Sequence, residues 1–367
     1  MIFENKKKAT LILADGTELG GRAFGADGSV VGEIVFTTAM VGYQETLTDP
    51  SYCGQIVTQT FPLIGNYGVN SIDPESNGSV VSGYIVREHC EDPSNFRCEG
   101  DLDSYLKKYN IIGIYDIDTR HLTKIIRESG VMNGAIVHGD FDKEALLAQI
   151  RAYNVGKVVP KVSVKAKEYY PAENAKFNVV LMDYGYKFNI RRELVKRGCN
   201  VTVMPWNSTA DEIKALDPDG IMLSNGPGDP ADNTEAIQTL HDLIPAQIPT
   251  FGICLGHQLL ALANGAKTEK LKYGHRGGNQ PVKDLALDRT FITSQNHGYA
   301  VVSGSVPAEA GEVSHVNGND GTCEGVRYHN APAFTVQFHP EACGGPKDTA
   351  YLFDEFIELM EGKKSCR

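Results

Sequence analysis

The chain has 367 residues, which is too long for one hydrophobic core and suits two domains of roughly 100–200 residues each. Hydrophobic residues make up 41% and charged residues 22%, a composition that excludes disordered and fibrous classes of protein. The formal net charge of −11 argues against binding to the phosphate backbone of a nucleic acid.

The first part of the chain is predicted to form short strands, turns and two helices. Strands are predicted at residues 10–19, 32–37, 55–58 and 80–86, and helices at 102–109 and 119–128. In the second helix Leu122, Ile125 and Ile126 share one face, and Gly130 ends the pattern. We predict an N-terminal mixed α/β domain over residues 1–155.

A polar, lysine-rich stretch follows, with prolines at 160 and 171, and predicts a linker at 156–176. Beyond it, short apolar strands alternate with helices. The strands are predicted at 177–182, 201–204, 220–223, 249–253 and 334–338, and the helices at 189–198, 209–216, 234–243 and 256–264. This alternation predicts a doubly wound α/β domain over 177–367, with a parallel sheet covered on both faces. Ligands of such sheets bind beyond the carboxyl ends of the strands.

A nucleophile candidate stands at one such end. Gly-Ile-Cys-Leu-Gly at 252–256 joins a predicted strand to a predicted helix, which is the cysteine form of a nucleophile elbow. The turn is tight enough to require glycine two residues before and after Cys254. The N-terminus of the following helix favours a thiolate at Cys254.

A thiol nucleophile needs a base, and the base needs a group that orients it. The strand at 334–338 leads directly into His339, Pro340 and Glu341, so that the imidazole and the carboxylate share one turn. The order Cys254, His339, Glu341 predicts a catalytic triad, because triads are defined by roles and not by chain order.

The turn Ser-Asn-Gly-Pro-Gly-Asp-Pro at 224–230 allows two interpretations. Gly226, Gly228 and Ala231 fit a dinucleotide fingerprint, but Pro227 and Pro230 remove amide donors that a pyrophosphate would use. The same backbone can instead direct an amide at a developing oxyanion, with Leu255 as a second donor. The sequence has no Walker motif and no Cys-x-x-Cys or His-x-x-x-His pair, so we predict neither ATP nor a metal on this chain.

The three turns together resemble those of the class I, triad-type glutamine amidotransferases. Residues 42–52, 116–120 and 274–282 of the chain (Gly-Tyr-Gln-Glu-Thr-Leu-Thr-Asp-Pro-Ser-Tyr, Asp-Ile-Asp-Thr-Arg and Gly-His-Arg-Gly-Gly-Asn-Gln-Pro-Val) are similar to the carbamoyl-phosphate synthase small-subunit family. The likeness covers nearly the whole sequence. Arg276, in the last of these motifs, is left without a role.

The resemblance implies that glutamine is hydrolysed to glutamate and ammonia through a γ-glutamyl thioester on Cys254. His339 would move the protons and Glu341 would hold its ring. The family's glutamine-binding groups correspond to Ser51, Gly226, Gly228, Leu255, Gln258, Asn296, Gly298 and Tyr299. Ser51 belongs to the first domain, and residues 296–299 are expected to form a loop after a strand at 291–294.

The resemblance also implies a partner. A separate large subunit would make carbamoyl phosphate from bicarbonate and ATP, for arginine and pyrimidine biosynthesis, and would carry the ATP and Mg²⁺ sites. The first domain would then include docking surface, for example within 32–68. Two alternatives stay open: a glutaminase that serves another synthase, such as those for anthranilate or guanylate, and a catalytically silent regulatory subunit.

The expected location is the cytoplasm. No apolar run approaches the roughly 18 residues of a membrane-spanning helix. The apolar run at 11–13 is shorter than the ~7–15 residues of a signal-peptide core. Eight cysteines without regular spacing are typical of reduced thiols.

Overall fold

The computed structural model describes residues 7–365, with side chains as far as residue 362. Contacts divide the chain into two compact units, one ending at Val155 and the other beginning at Gly156. The segment expected to be a linker, 156–176, is counted with the second unit, where it supplies a short helix and an edge strand.

The first unit is built mainly from short strands. Its elements are β1 (Lys8–Leu13), β2 (Glu18–Gly25), β3 (Ser29–Thr37), α1 (Tyr43–Thr48), β4 (Gln55–Gln59), β5 (Leu63–Ile64), β6 (Gly83–Ile85), β7 (Glu88–His89), α2 (Leu102–Lys108), β8 (Ile112–Tyr115), α3 (Thr119–Ser129), β9 (Met132–His138) and α4 (Lys143–Ala152). A 3₁₀ turn at Pro50–Tyr52 follows α1.

Seven of these strands close into a barrel in the order β1-β2-β8-β6-β4-β3-β9. Side chains alternate between the two faces of a strand, and β1 has apolar residues on both faces. Leu11 and Leu13 pack into one core cluster, while Ile12 packs into another with Leu146 and Ile150 of α4. Covering both faces explains why three consecutive apolar residues, Leu11, Ile12 and Leu13, end β1.

The second unit alternates strands with helices and then continues in strands. Its elements are α5 (Val159–Val162), β10 (Glu168–Tyr170), β11 (Phe177–Asp183), α6 (Phe188–Lys196), β12 (Cys199–Pro205), α7 (Ala210–Lys214), β13 (Gly220–Leu223), α8 (Thr234–Leu243), β14 (Thr250–Ile253), α9 (Leu255–Ala263), β15 (Thr268–Asp284), β16 (Arg289–Val301), β17 (Gly311–Asn317), β18 (Cys323–Tyr328), β19 (Ala333–Val336) and α10 (Tyr351–Ser365).

One ten-stranded sheet runs through the second unit in the order β10-β12-β11-β13-β14-β19-β18-β17-β15-β16. The neighbouring strands β12, β11, β13, β14 and β19 pair in parallel, as predicted. The remaining strands extend this sheet in antiparallel fashion, which the prediction did not include. The carboxyl ends of β11, β13, β14 and β19 therefore lie along one edge.

The parallel strands are buried on both faces. In β11, Val179 and Leu181 pack into a cluster with α6 and α10, whereas Val180 and Met182 pack into a second cluster with α7, α8 and α9. Helices on both faces of a parallel sheet define the doubly wound class. The predicted α/β class is confirmed.

Helix ends follow their sequence signals. The Asp118 carboxylate accepts the His121 N–H (2.9 Å) at the start of α3, and Gly130 ends this helix at φ 92°. Thr209 and Glu212 form a reciprocal capping box at the start of α7. Such caps satisfy backbone groups that have no partner within the helix.

Candidate active site

Cys254 occupies a strained turn between β14 and α9. Its backbone has φ 53° and ψ −102°, a conformation that residues other than glycine rarely adopt. A Cβ atom added to Gly252 would lie 2.8 Å from Thr335 Cγ2, and one added to Gly256 would lie 2.5 Å from the Leu223 carbonyl oxygen. The glycine spacing of the motif is therefore explained by close packing of the turn against β19 and β13.

We expect Gly256→Ala to destabilise the second unit by about 3 kcal/mol, because overpacking a rigid contact forces backbone displacement. Urea unfolding of the full chain measures this effect. Gly304→Ala is the matched control, since a Cβ atom at Gly304 meets nothing within 4 Å. Equal stability of the two variants would contradict the role given to Gly256.

The turn buries Cys254 and gives its thiol a defined neighbour. The Cys254 side chain is buried, and its backbone N–H donates to the Val336 carbonyl of β19 (2.9 Å). Sγ lies 3.7 Å from the Asn296 carbonyl oxygen, to which the thiol donates. Leu255 begins α9, so its N–H has no acceptor within the helix. Helix N-termini stabilise negative charge, such as that of a thiolate.

His339 and Glu341 form a buried pair on the turn after β19. His339 Nδ1 and Glu341 Oε1 are 2.7 Å apart, and both side chains are almost fully excluded from solvent. Burial by itself would raise the pKa of Glu341, but the nearby charges of Lys187 and His339 outweigh it and lower the pKa to about 2. Glu341 is thus an anion at neutral pH, which makes His339 Nδ1–H the donor of this hydrogen bond. Nε2 is buried without a hydrogen-bond partner among the residues that the structure describes.

The sheet brings the cysteine and the histidine to the same edge. Ile253 of β14 pairs directly with Val336 of the parallel neighbour β19. Cys254 follows the first of these residues at once, and His339 comes three residues after the second. This placement suits an imidazole that accepts the thiol proton.

Lys187 was not identified from the sequence. It lies just before α6, and its Nζ atom is 2.8 Å from Glu341 Oε1, with the lysine side chain 9% exposed. Its backbone N–H donates to Asn225 Oδ1 (3.1 Å), which ties it to the turn after β13. Its position beyond the end of β11 is the signal that could have indicated it.

The glycine-rich turn at 224–230 lies against the start of α9. A Cβ atom added to Gly226 would lie 2.7 Å from Leu255 Cδ2 and 2.2 Å from the Tyr184 carbonyl oxygen. The Ser224 carbonyl accepts the Gly256 N–H (2.9 Å). Gly228 has φ 88°, the left-handed region that favours glycine. The structure thus places Gly226 against the Leu255 side chain, and an oxyanion site formed by their amides stays a prediction.

Residues 296–299 lie within β16 and not in a loop, so that expectation was wrong. The strand continues to Val301 because β15 pairs with it as far as Thr268. The Tyr299 carbonyl accepts Gln258 Nε2 (2.7 Å), and the same amide nitrogen also donates to Gln337 Oε1 (2.8 Å). Gln258 therefore links α9 to β16.

Ser51 lies in the first unit and is described there by itself. It occupies the 3₁₀ turn at Pro50–Tyr52, and its backbone N–H donates to Asp49 Oδ1 (2.9 Å). The side chain that caps this turn is thus that of Asp49. A contribution of Ser51 to glutamine binding stays a prediction.

Within the described part of the chain, one group of side chains has atoms close enough to hold a metal ion: His275, His297 and Glu324, with ligand atoms within 4.8 Å of one another. Burial lowers the pKa of His275, but Glu324 and Asp320 outweigh burial and raise it. Asn317 Nδ2 donates to Glu324 Oε1 (2.8 Å). His275 Nε2 is 2.9 Å from Asp320 Oδ2, and His297 Nε2 is 3.0 Å from Gln295 Oε1. We therefore interpret this group as a hydrogen-bonded core, and the absence of a metal stays a prediction.

No helix in the range 7–365 is both long enough and apolar enough to cross a bilayer.

Comparison with known proteins assigns a family to each unit. The family model for the carbamoyl-phosphate synthase small chain, CPSase domain, matches residues 11–136. The family model for class-I glutamine amidotransferase matches residues 180–359. A small chain of carbamoyl phosphate synthase from Bacillus cereus is 55% identical over 357 residues, which cover 97% of each chain. One from Fusobacterium nucleatum is 53% identical over 354 residues, or 96% of this chain and 98% of its own.

A solved glutamine amidotransferase structure from Thermotoga maritima matches 52% of this chain and 86% of its own, at 16% identity and a TM-score of 0.37. The two sequence relatives carry the assignment. The chain belongs to the carbamoyl phosphate synthase small chain family, and its second unit carries a class-I glutamine amidotransferase domain.

Proposed function

We propose that the chain hydrolyses glutamine to glutamate and ammonia through a triad of Cys254, His339 and Glu341. The ammonia passes to a separate large chain that makes carbamoyl phosphate from bicarbonate and ATP. The observation that carries the proposal is the buried pair His339–Glu341 on the turn after β19, the strand that pairs in parallel with β14, which leads directly into Cys254.

The first half-reaction forms a thioester. His339 Nε2 takes the proton of the Cys254 thiol, and the sulfur attacks the γ-amide carbon of glutamine. The negative charge moves to the amide oxygen, where the Leu255 and Gly226 amides can stabilise it. His339 then gives the proton to the departing nitrogen, ammonia leaves, and a γ-glutamyl thioester remains on Cys254.

The second half-reaction restores the enzyme. His339 takes a proton from water, and the hydroxide attacks the thioester carbonyl. The carbon–sulfur bond then breaks, the sulfur takes the proton back from His339, and glutamate leaves after its new γ-carboxyl group has lost its proton to solvent. Glu341 orients the imidazole and stabilises its charged form in both halves. Lys187 keeps Glu341 ionised, because its ammonium group contacts the same carboxylate oxygen as His339 does. The proposed glutamine-binding groups are the family set given above, including Ser51, Gln258, Asn296, Gly298 and Tyr299.

The need for a partner follows from the chemistry. Carbamoyl phosphate formation uses ATP, and we expect ATP and Mg²⁺ to bind to the large chain and not to this one. Direct delivery of ammonia has a physical reason, since free ammonia is mostly protonated at neutral pH and is then no longer a nucleophile. The relatives are named as small chains of carbamoyl phosphate synthase, which supports this choice of partner.

Affinity purification of the tagged full chain from its native cells tests the proposal. We expect a large ATP-binding chain to co-purify, and the complex to make carbamoyl phosphate from glutamine, bicarbonate and ATP. Ammonia in place of glutamine should support the same product. Co-purification with a synthase for a different product, or consumption of glutamine without formation of glutamate, would contradict the proposal.

A further inference from the structure

Arg276 lies in the strand that pairs with the glutamine-binding strand. It belongs to β15, and its cross-strand partner in β16 is Asn296. The regular pairing around it is short, running from His275 to Gly277 between two irregularities of register. The backbone pairing of β15 with β16 thus fixes only a few residues around Arg276, and side-chain contacts must hold the residues next to them.

The guanidinium group of Arg276 lies against the backbone of this segment. Nη1 donates to the Tyr273 carbonyl oxygen (2.7 Å), and the residue is only 5% exposed. A Cβ atom added to Gly298 would lie 3.3 Å from Nη2. One added to Gly274, whose φ is +71°, would lie 2.6 Å from Nη1 and 2.2 Å from the His297 carbonyl oxygen. The two glycines therefore leave the space that the planar guanidinium fills.

Residues 296–299 contact Cys254 and helix α9. The Asn296 carbonyl is 3.7 Å from Cys254 Sγ, and the Tyr299 carbonyl accepts Gln258 Nε2. We propose that Arg276 is a positioning residue that holds residues 296–299 in the conformation that binds glutamine. The inference rests on the proposed function, and it assigns Arg276 to substrate affinity and not to the proton transfers.

An arginine suits this role better than a lysine does. The guanidinium is planar, carries several donors in a fixed arrangement, and can lie flat against peptide groups. A lysine ammonium at the same position reaches one carbonyl as a point charge and leaves part of the space empty. The conservative variant Arg276→Lys should therefore recover part of the function that Arg276→Ala loses.

Steady-state glutaminase kinetics of the full chain in its complex test the inference. For Arg276→Ala we expect KM for glutamine to rise about tenfold or more while kcat falls less than about threefold, because ground-state positioning is lost and the chemistry is kept. Arg276→Lys should lie between this variant and the wild type. Arg289→Ala, an exposed arginine on the neighbouring strand β16, is the matched control and should change neither constant.

A double-mutant cycle checks the contact itself. Gly298→Ala alone should raise KM for glutamine, because the added Cβ atom crowds Nη2 of Arg276. The double variant Arg276→Ala, Gly298→Ala should raise KM by clearly less than the product of the two single increases. Unchanged KM in Arg276→Ala, equal loss of kcat at constant KM, or independent effects in the cycle would each overturn the inference. Should Arg276→Ala not fold, KM and kcat of Arg276→Lys and of Gly298→Ala are compared with those of the wild type instead. This outcome differs from a failure of the proposed function, because in that case Cys254→Ser would still hydrolyse glutamine.

Discussion

Cys254→Ser is expected to abolish glutamine-dependent carbamoyl phosphate synthesis while ammonia-dependent synthesis by the assembled complex survives. A serine hydroxyl is far less acidic than a thiol, so the imidazole must remove a more tightly held proton to make a nucleophile. We expect the glutamine-dependent rate to fall about a thousandfold or more, which corresponds to about 4 kcal/mol of transition-state stabilisation. Both rates are measured on the same purified complex.

The ammonia-dependent rate is the internal control, because it reports folding and assembly without using the thiol. Cys343→Ser provides a second control, since Cys343 is exposed and lies on a turn outside the nucleophile elbow. Glutamine-dependent synthesis that persists in Cys254→Ser would refute the thioester mechanism. Loss of glutamine-dependent synthesis in Cys343→Ser would indicate that Cys343 is the nucleophile, and this result would contradict the proposed triad.

His339→Asn is expected to reduce kcat for glutamine hydrolysis by roughly 10²–10⁴-fold, the range that general acid–base groups contribute. Asparagine retains a polar side chain but can neither take the Cys254 proton nor deliver one to the leaving ammonia. The buried ion pair of Lys187 with Glu341 remains in this variant, so we expect the fold to survive. Glutamate release is the measurement, together with the rate at which iodoacetamide alkylates Cys254.

His241→Asn is the matched control for this substitution, because His241 is an exposed side chain on α8. Its activity and alkylation rate should equal those of the wild type. If His339→Asn hydrolysed glutamine at the rate of the control variant, the imidazole would not be the base. If alkylation slowed without loss of turnover, His339 would affect access to the thiol and not catalysis.

Local signals in the sequence were sufficient to predict the core of the second unit. The strand at Thr250–Ile253, the helix at Leu255–Ala263 and the turn that carries Cys254 follow from apolar runs, helix ends and glycine spacing. These signals work because each reflects a constraint within a few residues. The pairing of His339 with Glu341 was predictable for the same reason, as both follow one strand in a single turn.

Other parts of the site depend on contacts between distant segments. Lys187 and Glu341 are separated by more than 150 residues, and only the parallel order of the sheet brings them together. The continuation of β16 through residues 296–299 depends on pairing with β15. Arg276 had no role from sequence alone, because its function depends on the space left by Gly274 and Gly298.

The closed barrel of the first unit could not be predicted from local sequence patterns. Strands were predicted where β3, β4 and β6 lie, but the predicted segment 10–19 runs across the turn between β1 and β2, and no strand was predicted for β8 or β9. Closure also requires β1 to pair with both β2 and β9, and the second pairing joins residues more than 100 positions apart. Period-two alternation gives the faces of a strand and not its neighbours. The order of strands in the barrel therefore came only from the structure.

Trapping the covalent intermediate tests the central claim most directly. The complex is mixed with isotope-labelled glutamine, quenched in acid within the turnover time, digested and mapped by mass spectrometry. We predict that the peptide containing Cys254 carries the labelled γ-glutamyl group, that His339→Asn carries far less of it, and that Cys254→Ser carries none. A label on another cysteine, or turnover without any labelled peptide, would contradict the account.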